Sequence, residues 1–183
     1  MSPQQLSRHV GYSLRPLSVS DAPEIAPLND AASPAVPATP TSDLARLITV
    51  ADLALGLERE GILVGFVIAI APGADYDSEN YRFFEARAVD HLYVDRIVIA
   101  ESERGAGLGA VLYDAVFDAA RRQGRREVTC EVNLDPPNPG SQAFHARLGF
   151  VEVGTQRTKG GSIMVSLLAA PITADTHDDG PLS

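Results

Sequence analysis

The chain has 183 residues, 45% hydrophobic and 21% charged, which suits one globular domain with a sizeable core. Its formal net charge of -9 argues against a general nucleic-acid binder and suits a cationic substrate such as an amine. The single cysteine, Cys130, excludes an intrachain disulfide framework and a cysteine-based zinc site.

The N-terminus, MSPQQLSRHVGYS, has no apolar leader, and no run approaches the ~18 apolar residues of a membrane span. The expectation is a cytoplasmic protein in a reducing compartment, with no metal. Residues 1–11 are polar and expected to be loose. Tyr12 to Leu17 alternates as a strand. Ser20 or Asp21 caps a short helix reaching about Asn29, with Pro23 and Glu24 in its first turn. Residues 30–42, DAASPAVPATPTS, form a proline-stiffened loop, either a plain connection or one wall of a cleft. Ser42 and Asp43 cap a second helix to about Ile48. Residues 51–59 and 62–70 flank the turn signal Glu60-Gly61 and predict a hairpin. Residues 71–90 interrupt the pattern with Tyr76, Tyr81, Phe83 and Phe84. These aromatics either anchor the segment to the body or, as Tyr81 and Phe84 with Glu85, line a substrate pocket.

His91 to Ile99 is expected as the central strand. RGAGLGA follows, then a helix whose Leu108, Val111, Leu112, Ala115, Val116 and Ala119 recur at helical spacing. Gly124 ends it, and Arg121 and Arg122 suit its C-terminal dipole. Residues 127–133 predict a strand with Val128, Cys130 and Val132 on one face. LDPPNPG is a rigid turn, 141–148 a short helix, and 150–155 with 162–169 a last hairpin. Residues 171–183 read as an acidic disordered tail, leaving one domain over 12–170.

Strand, glycine turn and helix together aim backbone N–H groups at a phosphate. The glycines admit several ligands. Gly105-x-Gly107-x-x-Ala110 formally matches a dinucleotide fingerprint with Glu131 as ribose ligand, but AESER separates strand from glycines and too little chain follows for the remaining parallel units. A Walker A reading fails because no Lys-Ser/Thr pair follows. Arg104-x-x-Gly107-x-Gly109 is a third pattern, and a bare helix-initiating turn is a fourth.

Ile97-Val98-Ile99 with Glu101–Gly109, followed in order by NPGSQAFHARLGF at Asn138–Phe150, resembles the two motifs of the GNAT superfamily of acyl-CoA-dependent N-acyltransferases. The likeness covers roughly residues 12–168, and LYVDRIVI, VTCEVN and PPNPGS resemble bacterial members. It implies an α/β (α+β) fold with a mixed, mostly antiparallel sheet, splayed at the cofactor and flanked by helices. It also implies acetyl-CoA as co-substrate. The pantetheine arm would lie along Ile97, Val98 and Ile99. The pyrophosphate would sit on Arg104, Gly105, Ala106, Gly107, Leu108 and Gly109, with Asn138 contacting coenzyme A or fixing the turn. A backbone N–H near Val98 or Ile99 would meet the oxyanion.

The implied reaction is direct attack of a primary amine on the thioester. An amine of pKa ~10.4 is neutral in only about one part in a thousand at pH 7, so a base or water chain helps. Asp95, two residues before Ile97, is placed on that residue's sheet face as a catalytic candidate, its alternative being an ion pair with Arg96. Glu85 and Asp90 are weaker candidates. His145 stands five before Phe150, where the superfamily usually has the tyrosine that acts as general acid, and an imidazole can take that role. The expected partners are a small-molecule or lysine amine and a second copy in a homodimer, with no nucleic acid and no membrane. Two rival readings are an acyl-CoA sensor without catalysis and a nucleotide-dependent oxidoreductase.

Overall fold

The computed structural model describes residues 9–173. Most of the expected loose N-terminus and acidic tail therefore lies outside the described residues. The order is β1 (Tyr12–Pro16), α1 (Ala22–Ala31), α2 (Thr41–Val50), β2 (Leu53–Arg59), β3 (Ile62–Ile70), α3 (Glu79–Ala86), β4 (His91–Ile99), α4 (Leu108–Arg122), β5 (Glu127–Asp135), α5 (Pro139–Arg147), β6 (Val151–Thr158) and β7 (Ile163–Pro171). The strands form one sheet in the order β1-β2-β3-β4-β5-β7-β6.

Every pairing is antiparallel except β4 with β5. That parallel pair holds only over His91–Tyr93 against Glu127–Thr129, although each strand runs nine residues. Beyond Tyr93 and Thr129 the two strands part. The register of β3 on β4 also shifts there, since Ile68 faces Arg96 and Ala69 faces Val94, which leaves Asp95 as an extra residue in a β-bulge. A bulge bends its strand and increases its twist, so this one sits where β4 must turn away from β5.

Each face of the sheet has its own core. Leu108, Leu112, Tyr113, Val116 and Ala119 of α4 pack on Leu92, Val94, Val128, Cys130 and Val132. These helical positions recur three or four apart, so one stripe is buried. On the other face, Ile25 of α1, Leu44 and Leu47 of α2, and Tyr81 and Phe84 of α3 pack on Phe66, Ile68, Tyr93 and Val98. The strands read apolar on both faces because both are covered.

The segment expected to be irregular at 71–90 contains α3. Ser78 caps it, its Oγ accepting from the Tyr81 N–H at 3.3 Å. The helix was not visible as an amphipathic pattern because it is only eight residues long.

Candidate active site

The parting of β4 and β5 exposes a backbone edge. Ala100 N–H donates to the Val64 carbonyl at 2.8 Å, so that residue points its polar groups at β3. Orientation alternates along a strand, which directs those of Val98 toward β3 as well and those of Ile97 and Ile99 into the gap. Val98 is thereby removed from the expected edge: its backbone belongs to the β3 ladder and its side chain to the core under α1–α3. Ile97 and Ile99 remain, with side chains packed toward the α4 face.

On that face a cavity of about 1040 Å³ is lined by Ile97, Ile99, Arg104, Gly105, Gly107 and Leu108, among others. Gly105 and Gly107 have φ of 82° and 78°, the left-handed region that disfavours a side chain. Gly107 is the N-cap of α4, a position its φ requires. The N–H groups of Gly105, Ala106, Gly107 and Leu108 find no acceptor among the described residues. Such unpaired amides at a helix N-terminus form an anion site.

Gly109 has a different reason for being glycine. A Cβ there would stand 3.1 Å from the Phe144 ring, so it lets α4 and α5 approach closely. Ala106 is not part of the cavity lining; its carbonyl meets His9 Nε2 at 2.8 Å. Glu103 fixes the loop from behind, accepting from Tyr12 Oη at 2.5 Å and from Arg59 Nη1 at 3.0 Å.

A second cavity, of about 520 Å³, runs through the gap, lined by Tyr113 and Cys130 from the α4 face and by Tyr76, Ile163 and Val165 from the other. The two cavities share Ile97, Asn133, Asn138, Ser141 and His145, so they meet where the strands part. Pro34 to Pro37 contribute to its wall, which places the proline loop against the cleft rather than as a plain connection.

Asp95 lies in this second cavity but not on the sheet face of Ile97. The bulge turns it toward Arg96 and Tyr76. Its Oδ2 accepts from Arg96 Nε at 2.8 Å, and its Oδ1 accepts from the Tyr76 hydroxyl. Both members of the ion pair are more than nine-tenths buried. A carboxylate so occupied is poorly placed to take a proton.

Glu131, from β5, has the opposite character. Its Oε2 accepts from the Tyr93 hydroxyl at 2.8 Å. Burial raises its carboxyl from 4.5 to about 7, with the Asp95 charge adding to the rise and hydrogen bonds from Tyr93 and Asn80 opposing it. A base that titrates near neutrality is suited to proton transfer. The sequence reading considered Glu131 only as a ribose ligand. The available signal was a carboxylate alternating with the core-facing Cys130 and Val132, hence on the sheet's other face beside a strand expected to diverge.

His145 is buried in the wall between the cavities, 4% exposed. Its Nδ1 lies 2.8 Å from the Ser141 carbonyl, which can only accept, so Nδ1 carries the proton. Nε2 then accepts from the Tyr113 hydroxyl at 2.7 Å. Burial lowers the His145 pKa, and the Ser141 carbonyl only partly offsets this, so the ring is neutral. Burial also holds the Tyr113 hydroxyl well above its usual value. Both ring nitrogens are thus engaged, a departure from the expected proton donor. Asn138 caps α5, its Oδ1 accepting from Ser141 N–H at 3.2 Å, and so holds the turn that carries Ser141 and His145.

Tyr81, Phe84 and Glu85 are not brought to either cavity. Tyr81 and Phe84 are 2% and 0% exposed, and the Tyr81 hydroxyl bonds the Ala71 carbonyl and Ala74 N–H. Glu85 accepts from Gly73 N–H at 3.0 Å. They anchor the segment, because α3 turns their side of the helix into the core. Among the described residues there is no cluster of His, Cys, Asp and Glu suited to a metal ion. No helix among them is long and apolar enough to cross a membrane.

The family model described as acetyltransferase (GNAT) family matches residues 23–150, which includes β4, β5 and the glycine loop between β4 and α4. The chain belongs to this family. The GNAT fold is equally clear in solved structures. Ard1 from Thermoplasma volcanium superposes with a TM-score of 0.72 at 17% identity, over 90% of this chain and 100% of that one. The ribosomal-protein-S18-alanine N-acetyltransferase from Escherichia coli gives 0.69 at 18% identity, over 91% and 97%. YncA from Salmonella typhimurium, solved with its cofactor acetyl-CoA, gives 0.66 at 17% identity, over 93% and 99%. In sequence, phosphinothricin N-acetyltransferase of Streptomyces coelicolor is 34% identical over 64 residues, which are 35% of this chain and 36% of that protein.

Proposed function

We propose that this GNAT protein transfers an acetyl group from acetyl-CoA to a primary amine by direct attack on the thioester. The observation that carries this reading is the meeting of two cavities at the open edge of β4. One offers unpaired amides and glycines to a pyrophosphate; the other offers a carboxyl that titrates at about 7. The residues fit coenzyme A. The amides of Gly105 to Leu108 and the Arg104 side chain would hold the pyrophosphate. The freed polar groups of Ile97 and Ile99 would pair with the pantetheine arm as an added strand does.

When bound, acetyl-CoA supplies the acyl group as a thioester. The chain's residues do the rest. An Ile97 or Ile99 N–H, already aimed into the gap, meets the oxygen that gains charge as the amine adds. The amine nitrogen becomes acidic as its C–N bond forms, and Glu131 takes its proton. When the C–S bond breaks, the thiolate, with a reference pKa of ~8.5, is a stronger base than Glu131, so the proton passes on downhill. No separate acid is required. Asp95 is assigned to orienting Arg96 and Tyr76. His145 with Tyr113 is assigned to holding the wall at the thioester. Possession of an acceptor cavity beside the proposed thioester position favours catalysis over a sensor role, and a single parallel pair among the described strands counts against the dinucleotide fold of an oxidoreductase.

Thiol release from acetyl-CoA across a panel of amines tests this. Thermal stabilisation by coenzyme A, read in parallel with NAD, is expected for coenzyme A alone. Stabilisation by coenzyme A without thiol release from any amine would leave a sensor; stabilisation by NAD alone would overturn the reading.

A further inference from the structure

Resting on the proposed N-acetyl transfer, the second cavity carries information about the acceptor itself. The bulge in β4 puts Arg96 into its wall at 8% exposure. Three of the guanidinium's contacts are accounted for: Nε donates to Asp95 at 2.8 Å, and Nη1 donates to Asn29 Oδ1 at 2.8 Å and Thr39 Oγ1 at 3.1 Å. These bonds clamp the plane of the group between α1, the proline loop and β4. Nη2 has no hydrogen-bond partner among the described residues, nor is it wholly occluded, so this edge faces the cleft. A guanidinium nitrogen held in place by the bonds of its two neighbours is a preorganised, charge-assisted donor for a carboxylate.

A second cation lies on the same cavity. Lys159, in the turn between β6 and β7, is held there by its backbone N–H, which donates to Glu79 Oε2 at 2.9 Å. Its ammonium has no ion pair among the described residues, whereas the nearby Arg82 is neutralised by Asp77 at 2.5 Å. Four acids line the cleft and each is held differently: Asp77 is paired with Arg82, and Glu79 accepts from the Lys159 N–H. Asp95 is paired with Arg96, and Glu131 is half-neutral near pH 7. A carboxylate entering the cleft would therefore find two donors left without a partner among the described residues, Arg96 Nη2 and the Lys159 ammonium.

We propose that the acceptor is a small amine bearing a carboxylate, of the amino-acid class, with its carboxylate on Arg96 Nη2 and the Lys159 ammonium and its amine at Glu131. The class is narrower than an amine in general, and it excludes polyamines and lysine side chains within a protein chain.

The test compares standard L-amino acids with their α-amides and with the matching decarboxylated amines, using thiol release from acetyl-CoA. The wild-type protein is expected to use at least one carboxylate-bearing amine about tenfold or more better in kcat/KM than its amide, mainly through KM, as befits a charge-assisted bond. Lys159→Ala, at an exposed turn, is expected to reduce that ratio about threefold. Arg96→Gln is expected to abolish it while coenzyme A still stabilises the protein. Amides or decarboxylated amines used as well as the acids by the wild type would overturn the proposal, and so would a ratio unmoved by both variants.

Calorimetric titration of the coenzyme A-loaded protein with the same compounds separates this from the parent reading. Carboxylate-dependent binding that Arg96→Gln removes, without thiol release, would sink N-acetyl transfer and keep the anion site. Release regardless of the carboxylate would do the reverse. Neither binding nor release would overturn both.

Discussion

The two cavities that meet at the β4 edge are built from different material. The larger is made of backbone: unpaired amides at the start of α4, two glycines with positive φ, and the open groups of Ile97 and Ile99. The smaller is made of side chains that constrain one another: Tyr76 on Asp95, Asp95 on Arg96, Tyr93 on Glu131, and Tyr113 on His145. A backbone-built site tolerates a change of side chain provided the chain path survives. A site built of coupled side chains shifts its charge when one member changes. Substitutions on the two sides should therefore fail differently.

The largest effect is expected on the side-chain side. Glu131→Gln keeps the shape of the residue and removes the base. Turnover should fall by about a hundredfold or more, the usual range for a general base. The wild-type rate should rise with pH through about 7 as Glu131 ionises, and the variant should lose that limb. Steady-state rates from pH 5.5 to 9 measure both. A retained limb in the variant would move the base elsewhere and leave Asp95 as the nearest alternative.

The same substitution has a stability signature. Glu131 titrates at about 7 in the folded protein against 4.5 as its ordinary value. Folding therefore favours the protonated form. Its contribution is intact below 4.5, declines as pH rises, and is lost above about 7. After allowance for water entering the cleft, the loss is about 2 kcal/mol. Glu131→Gln should match the wild type near pH 4.5 and exceed it by about that amount at pH 8. Urea unfolding at the two pH values reads the difference. An equal stability gap at both would show that burial does not raise this carboxyl.

The difference between the cavities also decides what the sequence could reveal. Glycine spacing, strand and helix periodicity, and the order of two motifs are local properties of the chain, so the strands, the main helix and the glycine loop were legible, while the mixed sheet and its splay came only with the resemblance those motifs carry. The side-chain site depends on a single extra residue in β4. Strict alternation puts Asp95 with Ile97; the bulge between Ile68 and Ala69 in the facing register moves it to Arg96. No periodicity signals a bulge of one residue. Tyr81 and Phe84 misled for a related reason: aromatics in an irregular stretch look available until a short capped helix turns them inward. Tyr113 lies within α4 with nothing in its spacing to mark it for the site, and only the position of α5 shows that its hydroxyl meets His145.

His145 tests the boundary between the two cavities. With Nδ1 on a carbonyl and Nε2 taken by Tyr113, it is assigned a positioning role rather than that of the proton donor. His145→Phe should cost about tenfold in turnover through loosening of the wall, and ~1–3 kcal/mol in stability from the unpaired Tyr113 hydroxyl. The shape of the pH profile should not change. A loss of about a hundredfold or more together with a vanished alkaline limb would restore His145 as the proton donor.

The smallest expected effect lies on the backbone side. Gly107→Ala forces a Cβ into φ 78°, at a site where the nearest other atom is His9 Nε2 at 3.7 Å. Space is available, so the cost is conformational, about 1 kcal/mol. Part of that cost can be relieved by turning the peptide and misaligning the amides at the start of α4. The KM for acetyl-CoA should rise about fivefold, with kcat nearly unchanged once the cofactor saturates. Gly109→Ala is the control. It keeps an ordinary φ but presses on Phe144, so it should lower stability without a comparable effect on KM. If the two variants raise KM alike, the amides of the turn do not hold the pyrophosphate, and the larger cavity would owe its affinity to side chains after all.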